Sequence, residues 1–430
     1  METTTNAPQE STHETTQHNG QPNYYINFLF ESIQKHPLNR VLRTSPNEFG
    51  NLPDETPVFT KTVKWSPDGL CLLSNSEDNL MRLFEIPQTL LTNQQKPFTD
   101  PWQKCLSVSE PCTIYDFSWY PFMTSTDPNT CCFLTTSLSQ PVHMWDAFTG
   151  KLRQAYTCYN QYDEVASPLS VTFNATADKI YCGLNNSIKC FDTMRPGGES
   201  SEVACVEKVE KRSSANKKLK SKLVGHTGII SCLAFNKQMV GMYAAGSYNK
   251  SVGIYDEDQN SLQHLLDSKH KGGVTHVCFS DNGNMLFSGG RKDDFVMCYD
   301  VRNLYEPLFV MSFERKVSTN QKIVFDVDPT SRYLMTGCDD GRVKVFDLSG
   351  DGSCSFELDS SITNTKDTIN STLFHPKYPY VALSSGQRKY PLLNGEGSDM
   401  EEDSDGEESM DPCWISVFEA SFEYREYDEQ

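Results

Sequence analysis

The chain has 430 residues, of which 37% are hydrophobic and 22% charged, and its formal net charge is −19. That is ample material for a core, while no apolar run approaches the roughly 18–20 residues that span a bilayer. Fifteen cysteines are scattered without a C-x-x-C pair. Cys182, Cys190, Cys232, Cys278 and Cys298 fall inside apolar alternation, which points to buried reduced thiols rather than to disulfides or zinc, so no metal and no cofactor is expected.

Taken in chain order, residues 1–22 are rich in Thr, Gln and Asn, a composition that predicts a disordered tail. The first thirty residues lack the basic start and apolar centre of a secretory signal, so a soluble intracellular protein is expected. Residues 23–58 form an extension that packs on the rest or closes it. Within it Tyr24, Phe28 and Ile33 recur at helical spacing.

From residue 59 to 430 one pattern repeats: a strand with an aromatic near its end and a turn, a second strand and short polar turn, then a third strand ending in aromatic–acid. The copies begin at VKWSPDG (63–69), IYDFSWYP (114–121), LSVTFNATAD (169–178), GIISCLAFN (228–236), GVTHVCFSDNG (273–283), KIVFDVDPT (322–330) and INSTLFHP (369–376). Between the first-strand anchor and the third-strand aromatic, Trp65 to Phe84 is 19 residues, Phe173 to Phe191 is 18 and Phe235 to Tyr255 is 20. Phe279 to Tyr299 is again 20 and Val327 to Phe346 is 19, while Trp119 to Trp145 is 26. The seventh copy runs 44 residues from Phe374 to Phe418, because residues 387–412 insert an acidic loop before its third strand, CWISVFE (413–419). Sheets of short strands that cannot bury their faces alone stack radially, so the fold class is all-β: a seven-bladed WD-repeat β-propeller. Either a strand near 39–45 or SFEYREY (421–427) closes the ring.

Residues 194–224 form a basic loop between the third and fourth copies. Its Lys211, Arg212, Lys217, Lys218 and Lys220 have the shape of a two-part nuclear-import signal. In residues 396–411 nine acids occur with no base, so the net charge misrepresents the folded part. Ser398 and Ser404, each followed by acids, suit an acid-directed kinase. Phosphorylation adds about −1.5 to −2 charges at each such site.

Several stretches carry more than the repeat: TIYDFSWY (113–120), PVHMWDAFTGKLR (141–153), YNQYDE (159–164), GIISCLAF (228–235) and GSYNKSVGIY (246–255). So do GGVTHVCFSDNGNMLFSGGRKDD (272–294), TNQKIVFDVDPT (319–330) and SSGQRKYP (384–391). Over residues 59–390 the chain resembles the telomerase Cajal body protein family, with a short N-terminal region that is not proline-rich and a longer stretch after Asp192. The resemblance implies a nuclear, non-enzymatic propeller that binds a short box in a terminal loop of H/ACA-type small RNAs and concentrates the particle in Cajal bodies. Implied partners are that RNA and its ribonucleoprotein components, with telomerase and spliceosomal particles as further clients, and neither membrane nor small-molecule substrate. The alternative is a nuclear propeller that holds proteins in snRNP assembly or splicing.

Loops of RNA are read by bases splayed onto aromatic rings or guanidinium planes, with cations on phosphates. Arg291 and Lys292 sit in a second-to-third-strand turn beside Asp293 and Asp294. Blandly, such a turn is self-compensating. Arg153, Tyr159, Asn160 and Gln161 are assigned to the connection leaving the second copy, Asn320, Gln321 and Lys322 to that entering the sixth, and Gln387, Arg388, Lys389 and Tyr390 to the turn of the seventh. Turns and connections of these kinds share one end face. His143, His226 and His276 lie in or beside alternating strands and read as structural, and no hydrolase or nucleotide-binding motif is present.

Changing Lys217, Lys218 and Lys220 together to Ala is expected to shift a tagged protein toward the cytoplasm with no change in melting temperature. Fluorescence imaging beside calorimetry of the purified variant checks this.

Overall fold

A computed structural model describes residues 39–419 apart from 46, 53–56, 92–100, 161, 213–218, 267–268, 304–306, 359–364 and 389–412. The tail, Gln161, Lys217, Lys218, Lys389, Tyr390, Ser398 and Ser404 lie outside the described residues.

The seven copies are seven four-stranded antiparallel sheets. Strand β1 (Asn39–Arg43) precedes the first blade, which comprises β2 (Thr60–Trp65), β3 (Cys71–Ser76), β4 (Leu80–Glu85) and β5 (Leu106–Ser109), with a short helix α1 (Gln88–Leu91) before β5. Blade 2 is β6 (Ile114–Trp119), β7 (Cys132–Ser137), β8 (Val142–Asp146) and β9 (Leu152–Tyr156). Blade 3 is β10 (Ser170–Phe173), β11 (Lys179–Gly183), β12 (Ser187–Asp192) and β13 (Ser201–Ala204). A separate hairpin follows, β14 (Val206–Arg212) and β15 (Leu219–Gly225). Blade 4 is β16 (Ile230–Phe235), β17 (Met242–Ser247), β18 (Val252–Asp256) and β19 (Ser261–Leu266). Blade 5 is β20 (Val274–Phe279), β21 (Met285–Gly290), β22 (Phe295–Asp300) and β23 (Leu308–Glu314). Blade 6 is β24 (Asp326–Val327), β25 (Tyr333–Gly337), β26 (Val343–Asp347) and β27 (Cys354–Leu358). Blade 7 is β28 (Ile369–Phe374), β29 (Tyr380–Ser385) and β30 (Trp414–Glu419), and β1 completes it as the fourth strand. Ring closure therefore falls to Asn39–Arg43, whose Arg40 pairs with Phe418 and Leu42 with Val417.

Two features differ from the sequence reading. Each copy holds a fourth strand that the three-strand pattern lacks. These outer strands bury little: in β27 only Leu358 is buried, and in β23 Leu308, Phe309 and Val310 are all exposed. An edge strand packed on one side shows no clean alternation, so periodicity passes over it. The stretch 194–224 is likewise not a loop. It contributes β13 to blade 3 and then a hairpin in register from Val206↔Gly225 to Arg212↔Leu219, with Lys211 opposite Lys220. Its dense charge hides the strand pattern from a composition-based reading.

The core follows from the period of two. Successive side chains of a strand point to opposite faces, and in a propeller each face meets a different neighbour. Leu72 of β3 packs with Val417, Ile415 and Leu42 at the junction of blades 7 and 1, whereas the adjacent Leu73 packs with Phe117 and Phe133 of blade 2. Tyr333 and Met335 face blade 7, while Leu334 between them faces Phe287 and Phe313 of blade 5. Among the described residues, each of the seven blade junctions has its own buried apolar cluster. All fifteen cysteines are free, and ten are buried in or beside these clusters.

Polar pins tie the entering connections to their blades. Glu110, 3% exposed, accepts hydrogen bonds from Ser137 Oγ at 3.1 Å, Trp145 Nε1 at 3.0 Å and Thr135, with His143 Nδ1 at 3.0 Å. Burial works against the Glu110 carboxylate, but these partners hold its pKa below the usual range. His226 Nδ1 lies 2.8 Å from the Tyr255 hydroxyl and Nε2 3.3 Å from the Ser251 carbonyl, and burial lowers its pKa to about 4. These histidines hold structure, as expected of alternating strands.

Leu42 is 2% exposed and in the closing junction, whereas Arg40 is exposed. Leu42→Ala is expected to destabilise by about 2–5 kcal/mol and Arg40→Ala by less than about 0.5 kcal/mol, measured by chemical denaturation.

Asp326 of β24 accepts the backbone N–H groups of Val327 at 2.9 Å and Phe374 at 3.0 Å, yet burial pushes its carboxyl up to about 7. A raised acid pKa means that the fold disfavours ionisation. The contribution is free of penalty below the unfolded pKa of about 3.9 and turns unfavourable as pH rises toward 7. Relative to wild type, the melting temperature of Asp326→Asn is therefore expected to improve steadily between about pH 4 and pH 7 and to level off above. A pH-independent difference removes Asp326 as the titrating group.

Candidate nucleic-acid interface

Antiparallel strands alternate direction, so the second-to-third-strand turns and the connections between blades emerge on one end of the ring, and the remaining turns on the other. On the first end the blade 5 turn is divided sharply. Asp293 is wholly buried, its carboxylate 2.5 Å from His270 Nδ1, and His270 Nε2 lies 2.8 Å from the Ser288 hydroxyl. Asp294 pairs with Lys271 at 2.7 Å. Both acids are thereby used by His270 and Lys271, and the self-compensating reading of the turn does not hold. Lys292, in the left-handed region at φ 49°, is exposed, and its backbone N–H donates to the Thr319 carbonyl at 3.0 Å.

Arg291 sits over an aromatic ring. Its guanidinium carbon is 3.9 Å from the centroid of Tyr248, in the corresponding turn of blade 4. This approach needs Gly272 and Gly273, in the connection between the two blades. A Cβ on Gly272 would sit 1.9 Å from the Arg291 carbonyl oxygen, and one on Gly273 2.8 Å from the Tyr248 Cα. Among the described residues neither Arg291 nor Lys292 has an acidic side chain within ion-pair distance.

From there an arc of contacts runs round the end face. Asn320 is exposed, and Gln321 Nε2 donates to the Gly386 carbonyl of blade 7 at 3.2 Å. Gln387 bonds Thr368 at 3.2 Å, and the exposed Arg388 pairs with Glu77 of blade 1 at 2.5 Å. Glu77 also holds Lys61 at 2.7 Å, so two cations share one carboxylate. Lys322 reaches into the channel to Asp116, 3.5 Å away, and Lys64 approaches the same oxygen at 3.3 Å. Burial raises the Asp116 pKa, but Lys322, Lys64 and the Val171 amide outweigh it and hold the pKa low. Burial likewise opposes the charged Lys322, yet Asp116 and its other neighbours leave its pKa raised, whereas burial dominates at Lys64 and lowers it. Burial, with Lys322 and Lys64 nearby, lowers His276 to about 3, and its Nε2 lies 3.1 Å from the Phe325 carbonyl oxygen.

Not every expected residue joins this arc. Arg153 is a correction: it lies on β9 next to the opposite end, not in the connection leaving blade 2. Its guanidinium pairs with Asp146 at 2.8 Å and donates to the carbonyls of Pro128 and Asn129 at 2.6 Å and of Cys131 at 3.1 Å. The unread fourth strand is the reason, since one strand more or less moves a residue to the other end. Tyr159 is on the expected connection, 40% exposed and packed beside Gly198, but no described contact links it to Arg291. Asn160 is engaged locally: its side-chain oxygen accepts from the backbone N–H groups of Tyr162 and Glu164, and its amide donates to Glu164.

Sequence reasoning missed Tyr248, Tyr115 and Lys61 as site residues. Tyr248 was detectable, being the sole aromatic in the second-to-third-strand turns of the first six blades. Tyr115, half-buried at the start of β6, has its pKa raised by burial and by the neighbouring Tyr248. Nothing local in the sequence distinguishes it.

The WD domain, G-beta repeat family matches residues 217–256, 260–300 and 312–347. The chain is 38% identical over 367 residues to telomerase Cajal body protein 1 of Bos taurus, covering 85% of this chain and 64% of that protein. Against the Homo sapiens protein of the same name the identity is 38% over 366 residues, 85% of this chain and 63% of the relative. The Drosophila melanogaster homologue is 33% identical over 354 residues, 80% of this chain and 60% of its own. The chain thus spans just under two thirds of the length of these relatives. With its seven WD-type blades and this extent of identity, the chain belongs to the telomerase Cajal body protein family.

Proposed function

We propose that the chain is a nuclear RNA-holding propeller that grips the terminal loop of an H/ACA-type small RNA on the end face carrying Arg291, and so places the ribonucleoprotein in a Cajal body or its equivalent. The name shared by the relatives supports the ribonucleoprotein setting. The observation that carries the reading is the Arg291–Tyr248 stack, with Lys292 beside it and no acidic partner for either cation among the described residues. A guanidinium on an aromatic ring offers a flat, cationic platform to a splayed base, and Lys292, Lys322, Lys61 and Arg388 supply charge for phosphates. Telomerase RNA is a further client on this reading. Import through the 208–222 basic stretch and phosphorylation of Ser398 and Ser404 belong to the same proposal.

A second reading, a scaffold holding proteins in snRNP assembly or splicing, is favoured by one feature. Leu308, Phe309 and Val310, 61%, 49% and 40% exposed, form an apolar strip on the outer edge of blade 5. Lys269, in the connection between blades 4 and 5, lies over this strip, 5.6 Å from the centroid of the Phe309 ring.

The test is binding of purified protein to a matched and a scrambled RNA hairpin loop at two salt concentrations. Arg291→Ala and Tyr248→Ala are expected to cost about 1–3 kcal/mol each, more for the matched loop. Lys292→Ala weakens both loops equally and flattens the salt dependence by about 0.7 in slope, one phosphate on a single strand. Arg153→Ala lowers the melting temperature and leaves RNA affinity alone. Stable Arg291 and Tyr248 variants that bind both loops like wild type would falsify the RNA reading of this face and favour the scaffold.

A further inference from the structure

A recess of about 240 Å³ opens beside the channel mouth, lined by Phe59, Lys61, Thr62, Ile114, Tyr115 and Gln321 among others. It lies where the first strands of blades 1 and 2 begin, facing the connection into blade 6. Its walls are apolar and fixed: Phe59 is 8% and Ile114 1% exposed. Lys61 and Lys322 stand at its rim, each already leaning on a carboxylate, Glu77 and Asp116.

The unusual feature is Thr62. It is 2% exposed, and its hydroxyl has no hydrogen-bond partner among the described residues. Its cross-strand partner is Asn75, fully buried, whose side-chain oxygen and nitrogen are both unpaired as well. Residues directly opposite in an antiparallel pair share a face, so three unspent polar atoms lie close together behind the apolar walls. Buried polar groups are nearly always satisfied, and each exception calls for an absent partner. That partner must be flat and apolar on its faces, must carry donors and acceptors along an edge, and must tolerate cations beside it.

We propose that this recess receives one splayed base of the bound RNA loop, with Thr62 reading its edge. This rests on the RNA-holding reading above and adds to it a base-specific subsite distinct from the Arg291–Tyr248 platform. Phe59, Ile114 and Tyr115 cover the faces of the base, Gln321 offers a second polar contact, and Lys61 and Lys322 hold the flanking phosphates. Gln321 is held for this by its bond to the Gly386 carbonyl.

The test uses the full chain and an H/ACA-type hairpin in which each loop nucleotide is made abasic in turn. Wild type is expected to show one position, separate from any position lost in Arg291→Ala, where the abasic change weakens binding about tenfold, in the range of a single base contact. At that position Thr62→Val reduces discrimination among the four bases to within about twofold, leaves affinity for the abasic RNA unchanged, and keeps the wild-type melting temperature. Thr62→Ser retains discrimination. If wild type binds the hairpin but no such position exists, or Thr62→Val weakens intact and abasic RNAs equally, the subsite is wrong while the RNA reading stands. A lowered melting temperature with unchanged discrimination identifies a structural hydroxyl and also overturns it. Failure of wild type to bind any hairpin at either salt overturns both readings, and binding of a protein segment in the recess instead shows that its occupant is not RNA.

Discussion

Ring closure is the constraint on which everything else depends. A propeller blade is a sheet with two faces to bury and an outer edge, and only a complete circle gives every face a neighbour. Here the circle is completed by hydrogen bonds between strands at least 371 residues apart: Arg40 opposite Phe418, Leu42 opposite Val417, and the Thr44 N–H on the Ile415 carbonyl at 2.9 Å. The same strand brings Leu42 into the cluster of Val63, Leu72, Phe84 and Ile415, so the backbone pairing and the apolar junction are made together. The inner strands then sit at fixed positions around the channel, which allows Lys64, Asp116 and Lys322, from blade 1, blade 2 and the entry to blade 6, to meet.

Closure places the turns, and buried polar groups then decide what the turns present. In blade 5 His270 lies between Asp293 and Ser288, fixing the connection from blade 4 against the turn. With Asp293 buried against His270 and Asp294 paired with Lys271, neither acid of the turn pairs with Arg291 or Lys292, and Lys292 is left exposed. A chain with a net charge of −19 can therefore carry a locally cationic end face. Overall charge describes solubility and long-range repulsion, while a binding surface is set by which charges are neutralised inside.

The legibility of the site follows the same division. Arg291 and Lys292 were readable, because a turn between two clear strands has a definite end of the ring. Their freedom was not, because His270 and Lys271 claim the neighbouring acids only after folding. Arg153 was misplaced by one unread strand, since the fourth strands bury one side and carry no alternation. Asp146 and three carbonyls then use its whole guanidinium for holding turns on the far end.

By itself the sequence determined the fold class, the number of blades and the family. Strand alternation is a local property, written in neighbouring residues, and its repeat survives an insertion such as 387–412. The tertiary structure alone decided that Asn39–Arg43 closes the ring, that Tyr248 lies under Arg291, and that Thr62 and Asn75 keep unpaired polar atoms beside a recess. Each of these depends on groups from different strands or blades, brought within a few ångströms by radial stacking. Whether a buried polar atom finds a partner is settled by that geometry and not by residue type.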